Sequence, residues 1–151
     1  MKAVLQRVSE ARVVINGECA GQIEKGLVIL LGVAKGDTSK QADRLADKIA
    51  GLRIFGDEAD KMNLSLLDIK GGALVVSNFT LCADSRKGRR PSFDPAASPT
   101  EANELYEYFV AKLKALGVQR VETGRFGADM KLTLTNDGPV TIWLDTDLLP
   151  Q

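Results

Sequence analysis

The chain contains no histidine among its 151 residues. That removes Ser-His-Asp and Cys-His nucleophile pairs, imidazole-ligated metals and the commonest general base. Cysteine is scarce too. Cys19 and Cys82 lie far apart in sequence and read as free thiols of a reducing compartment rather than as a bridge. Net charge is missing, with 20 basic residues against 20 acidic ones, so no overall field draws the chain to nucleic acid or an anionic membrane. An RNA contact has to come from a local patch. Long apolar runs are also absent: the longest, Leu27 to Ala34, includes a glycine and is far too short to span a bilayer. The opening MKAVLQRVSEARVVING carries Lys2, Arg7, Glu10 and Arg12 and offers no signal-peptide core. A cytoplasmic protein with no membrane association is expected.

What is present fits one soluble domain spanning 1–151. Apolar residues make up 44% and charged residues 26%. A chain of this length buries roughly 70% of the surface exposed when unfolded. Residues 2–15 are rich in Val, Leu and Ile, and Asn16-Gly17 is a hairpin turn signal, with Lys25-Gly26 marking another. GLVILLGV at 26–33 is apolar on both faces and reads as a central strand. Over 38–52 the period switches, placing Ala42, Leu45, Ala46, Ile49 and Leu52 on one helical face behind a Thr38/Gln41 capping box. Strand pattern returns over 71–81. Ser98-Pro99-Thr100-Glu101 then opens a second helix with the stripe Ala102, Leu105, Phe109 and Leu113, stopped by Gly117. Strands are expected near 118–123, 130–136 and 140–145. The order predicts an α+β domain, a largely antiparallel sheet or open β-barrel covered by two helices.

Three segments resist a purely structural reading. SNFTL at 77–81 turns abruptly polar at a strand end, presenting Ser77, Asn78 and Thr80 beside backbone N–H groups suited to a carbonyl or oxyanion. Local side-chain capping of a strand end is the simpler account. DSRKGRRPSFD at 84–94 places Arg86, Lys87, Arg89 and Arg90 within five residues of a loop, a local anion site suited to phosphate or a solvated surface. The third is LTNDGPVTIWLD at 134–145, which alternates on both sides of Asn136-Asp137-Gly138 and predicts a hairpin. Pro139 follows that turn directly and lacks the N–H with which a partner strand begins its ladder. A trans bond would make a rigid turn. A cis bond would reverse the chain and aim two carbonyl oxygens outward. Such a tip makes sense inserted into something, most simply another copy of the chain.

SNFTL at 77–81 and NDGPVT at 136–141 resemble the paired motifs of D-aminoacyl-tRNA deacylases, SQFTL and NxGPVT. The opening seventeen residues, KGRRPSFDPAA and GRFGADMKLTL resemble the same family, so the similarity runs the length of the chain. Asn78 stands where the family has glutamine. The resemblance implies a homodimer, without cofactor or metal, that hydrolyses the ester between a D-amino acid and the terminal adenosine of tRNA. It further implies a cis Gly138-Pro139 peptide entering the opposite subunit's active site, excluding L side chains and admitting glycine. Catalysis would be RNA-assisted through the ribose 2′-hydroxyl. Carried over residue by residue, Ser77, Phe79 and Thr80 belong to the catalytic pocket, Thr80 as a positioning group and not as an assumed nucleophile. Asn78, Leu81, Phe126 and Met130 bind substrate. Gly138, Pro139 and Asn136 serve chiral selectivity, with Arg7 bracing the partner's tip. The basic loop Arg86, Lys87, Arg89 and Arg90 is an RNA contact on grounds of charge.

Other readings stay open at this level. A non-catalytic RNA-binding or dimerisation module would keep the same fold, which the family shares with a domain appended to some archaeal threonyl-tRNA synthetases. A Thr or Ser hydrolase of small esters would depend on Thr80. A metal-dependent hydrolase would use Asp57, Glu58 and Asp60, although a solvated turn accounts for that cluster more simply.

Overall fold

Asn16 and Gly17 adopt positive φ values of 50° and 80°, as a tight hairpin turn requires. They join β1 (Lys2–Ile15) to β2 (Glu18–Ile23) in a computed structural model that describes residues 1–151. β1 is long enough to serve three partners. β2 pairs with its second half, β3 (Gly26–Gly32) with its first half, and β8 (Lys131–Asp145) runs along its other side, all antiparallel. β3 is buried on both faces, as its uninterrupted apolar sequence predicts. Leu27, Ile29 and Leu31 join the larger core beneath the helices, while Val28 and Leu30 join a second core with Val8, Val13, Ile23 and Leu74.

Helix α1 (Ser39–Gly51) begins at the expected box: Thr38 accepts from the chain at its N-terminus and Gln41 reaches back to the Thr38 N–H at 2.8 Å. Its buried face is Ala42, Leu45, Ala46, Ile49 and Ala50, with Leu52 serving as C-cap. Helix α2 (Pro99–Ala115) starts at Ser98, which accepts from the Glu101 N–H at 3.3 Å. It buries Ala102, Tyr106, Phe109, Val110 and Leu113, while Leu105 is only partly covered.

Each helix lies on a crossover. After α1, a small hairpin of β4 (Phe55–Gly56) and β5 (Met62–Leu64), not anticipated from sequence, precedes β6 (Gly72–Ser77). β6 pairs parallel with β3, and β7 (Arg120–Thr123), reached through α2, pairs parallel with β6. The sheet is largely antiparallel, as expected, and its two parallel pairings arise because a helical crossover returns the chain in the same direction. At the far edge the sheet curls until a Cβ on Gly21 of β2 would lie 2.5 Å from the Thr123 carbonyl of β7. The result is a nearly closed barrel with two helices on its outside, in agreement with the expected α+β class.

Two expectations need correction. The strand expected over 71–81 stops at Ser77, and Phe79–Cys82 forms a 3₁₀ turn capped by Asn78. Residues 134–145 are not a hairpin either. Both arms pair with β1, from Val14↔Lys131 to Val8↔Asn136 and again from Gln6↔Thr141 to Lys2↔Asp145. Arg7 alone lies between those registers on β1, whereas Asp137, Gly138, Pro139 and Val140 lie between them on β8. The surplus loops outward. A proline is tolerated because this segment leaves the ladder.

Candidate active site

β6 is fully buried until Val76 and emerges at Ser77. Asn78 continues the strand for one more bond, its N–H donating to the Leu31 carbonyl at 2.8 Å. Its side chain then turns the chain. Oδ1 accepts from the Thr80 N–H at 3.2 Å and also from the Thr80 hydroxyl. The Thr80 hydroxyl is thus directed at an amide oxygen, which cannot remove its proton. Leu81 packs back toward Gly32, where a Cβ would sit 3.0 Å from its own Cβ.

The turn forms one wall of an open cleft of about 710 Å³ at the mouth of the second core. Ser77, Asn78 and Phe79 line this wall. Opposite are Phe126 and Met130, from the loop between β7 and β8. A side chain on Gly124 would collide with the Met130 sulfur, so glycine there lets the thioether lie against the backbone. Phe126 leans on Tyr106 with ring centroids 6.2 Å apart, and the Tyr106 hydroxyl donates to the Val75 carbonyl at 2.8 Å. Burial pushes that phenol up to about 12, so it remains a fixed neutral donor. The third wall is the approach to α2, including Phe93, Ala97 and Pro99, none of which was expected at the site.

Of the sequence-predicted site residues, Ser77, Asn78, Phe79, Phe126 and Met130 meet in this cleft, whereas Thr80 and Leu81 do not line it. No Asp, Glu, Lys, Arg, Tyr or Cys lines it either. The lining offers apolar surface, one hydroxyl, one carboxamide and backbone groups. It can bind and orient a flat, weakly polar group, but it holds no side chain able to take up a proton near neutral pH.

The other motif lies elsewhere in the same chain. The Gly138-Pro139 peptide is cis, and Asp137, Gly138 and Pro139 are exposed and outside the cleft. Asn136 fastens the base of this tip with a pair of bonds that imitates a strand ladder. Its Nδ2 donates to the Val140 carbonyl at 3.0 Å, and its Oδ1 accepts from the Val140 N–H at 3.0 Å. Arg7 holds the side of the tip: Nε donates to the Asp137 carbonyl at 2.9 Å and Nη1 to the Ile54 carbonyl at 2.8 Å. Arg7 thus holds the tip of its own chain. Gly138 has φ 139°, and a Cβ there would lie 2.8 Å from Val140 Cγ2.

The basic loop is closed at its base by reciprocal bonds between Asp84 and Ser92, at 2.8 and 2.9 Å. Arg86 folds back on Asp84, whose carboxyl is drawn down to about 2 by the Arg86 hydrogen bonds. Lys87, Arg89 and Arg90 are exposed and form no ion pair. No helix is long and apolar enough to cross a membrane.

Known proteins resemble the chain over nearly all of this architecture. A solved structure titled c-Myc DNA Unwinding Element Binding Protein superposes with a TM-score of 0.92 at 39% identity, covering 96% of this chain and 98% of that one. A probable eukaryotic D-amino acid tRNA deacylase shares the fold at a TM-score of 0.81 and 17% identity, covering 95% of this chain and 97% of that one. The D-aminoacyl-tRNA deacylase of Geotalea uraniireducens is 62% identical, with 97% of this chain and 94% of that protein aligned. The protein of the same name from Ruegeria pomeroyi is 61% identical over 96% of this chain and 99% of its own. The family model described as D-Tyr-tRNA(Tyr) deacylase matches residues 4–145, from near the start of β1 to the last residue of β8. Strand-end cleft, looped-out tip and the sheet between them all fall within that match, and the chain belongs to the D-Tyr-tRNA(Tyr) deacylase family.

Proposed function

We propose that this protein hydrolyses the ester of D-aminoacyl-tRNA, with the terminal adenosine in the cleft beside Phe126 and Met130. The observation that carries the mechanistic part of this reading is the absence of any ionisable side chain from the cleft lining. Water attacks the ester carbonyl carbon and the bond to the ribose oxygen breaks. The proton lost by water ends on that oxygen, yielding a free D-amino acid and tRNA. The 2′-hydroxyl of the same ribose is the group placed to relay that proton. The protein contributes orientation and backbone dipoles at the end of β6. Thr80 positions the turn rather than attacking, since its hydroxyl faces Asn78 Oδ1.

The tip and the cleft are separate in one chain, which favours a homodimer in which the tip of one copy closes the cleft of the other. β8 leaves its outer edge unpaired along its length, and exposes Trp143 there, 54% accessible. The Gly138 and Pro139 carbonyls would face the substrate Cα. An L side chain would strike them, a D side chain would point away, and glycine would pass. The basic loop supplies the RNA contact, and a tRNA substrate puts the enzyme in the cytoplasm.

Hydrolysis of D-tyrosyl-, L-tyrosyl- and glycyl-tRNA tests the reading. Loss of the D and glycyl esters with L spared supports it. Equal loss of D and L removes the chiral filter, and no loss of any leaves a binding module.

A further inference from the structure

Phe79 and Phe93 are exposed aromatic rings, 55% and 39% accessible, in a chain that buries most of its large apolar side chains. They meet edge to face, with centroids 5.0 Å apart and planes at 77°, at the rim of the cleft. Two perpendicular rings form a corner in which a flat base can stack on one ring and touch the edge of the other. Phe93 directly follows Ser92, which closes the basic loop against Asp84. The unpaired cations Lys87, Arg89 and Arg90 therefore stand on a protrusion rooted beside the aromatic corner. Asp84 does not offset them, because Arg86 occupies both of its oxygens. Stacking surface next to unpaired positive charge is the combination by which proteins hold single-stranded nucleic acid. A duplex would use the cations alone and leave the rings uncovered.

We infer that this corner and its basic loop hold the single-stranded nucleotides preceding the terminal adenosine, the rings stacking a base and Lys87, Arg89 and Arg90 taking the phosphates. The inference rests on the deacylase reading and extends it from the adenosine to the strand leading into it.

The test compares D-tyrosyl esters of adenosine, of the dinucleotide CpA and of the trinucleotide CpCpA. In the unaltered protein, lengthening from adenosine to CpCpA raises kcat/KM about tenfold or more, the usual worth of a stacked base. In Phe93→Ala that increment collapses, and in Phe93→Trp it persists. Replacing Lys87, Arg89 and Arg90 together by Gln flattens the salt dependence for CpCpA by about 0.7 in log–log slope for each phosphate left without its cation. Binding of uncharged CpCpA to the same variants follows the same order without relying on catalysis. An increment retained in Phe93→Ala overturns the inference, and so does an unaltered protein indifferent to the added nucleotides. If the unaltered protein binds uncharged CpCpA but hydrolyses none of the esters, the deacylase reading fails and the nucleotide subsite stands. If it does neither, both fail.

Discussion

Asn78 shows how one missing methylene redirects a side chain. Asparagine is among the best N-cap residues and glutamine is not, since only the shorter chain reaches the backbone two residues on. Here its oxygen is committed to Thr80, so the carboxamide works for the turn as well as for the cleft. Asn78→Ala should lower stability by about 1 kcal/mol, read as a shift in the urea midpoint. Thr80→Val should retain D-tyrosyl-tRNA hydrolysis within about threefold, because a hydroxyl facing an amide oxygen has no base to activate it. Asn136 makes the opposite case. Its two bonds satisfy both backbone groups of the nearly buried Val140. Asn136→Ala should cost about 1 to 3 kcal/mol and raise the rate on L-tyrosyl-tRNA relative to the D ester, since the tip then has no fixed base. A change in stability without a change in the D/L ratio would show that the tip does not discriminate.

β1 and β8 together carry the looped-out tip, and their ends are tied by an ion pair between Lys2 and Asp145. Burial works to raise the Asp145 carboxyl, but the Lys2 hydrogen bond, the Asp147 N–H and nearby positive charge outweigh it and hold the group below its usual range. The folded value is depressed, so the stabilisation is present above the ordinary carboxylate value of 3.8 and is lost as pH falls through the folded value. Lys2 is raised, first by its hydrogen bond to Asp145, so its share is lost only as pH climbs above 10.5. Denaturation midpoints across pH 2 to 5 should fall less steeply in Lys2→Met than in the parent. Equal slopes would assign the acid sensitivity elsewhere. The helices were legible in the sequence because Thr38, Gln41, Ser98 and Glu101 act locally, within one turn. β8 was legible only as alternation. Whether two alternating arms pair with each other or both with a third strand depends on β1, more than a hundred residues away in sequence. Phe93, Ala97 and Pro99 are not legible as site residues: Phe93 sits in a segment read for its charges and Pro99 in a helix start, and only the folded path of the chain brings them to the cleft.

At the scale of the whole molecule, one chain carries a strand-end cleft and a looped-out tip and keeps them apart. Ser77, Asn78 and Phe79 line the cleft, and Gly138, Pro139 and Val140 lie on the looped-out segment of an edge strand. If the tip acts across a dimer, defects in the two halves should complement each other. A chain with Ala128→Arg, which fills the cleft, mixed and refolded with an Asn136→Ala chain should regain up to about a quarter of the selective sites of the parent, because half of the dimers are hybrids with one intact site each. Failure to regain any selective site in confirmed hybrids would place tip and cleft in separate functions. The chain has no histidine, and none of its carboxylates or lysines lines the cleft, so the site itself offers no side-chain base. The most direct measurement is the hydrolysis rate of D-tyrosyl-tRNA ending in 2′-deoxyadenosine against the same tRNA ending in adenosine. The account predicts that the deoxy substrate is bound but left intact. Comparable hydrolysis of both would contradict it and return the proton transfer to a group of the protein.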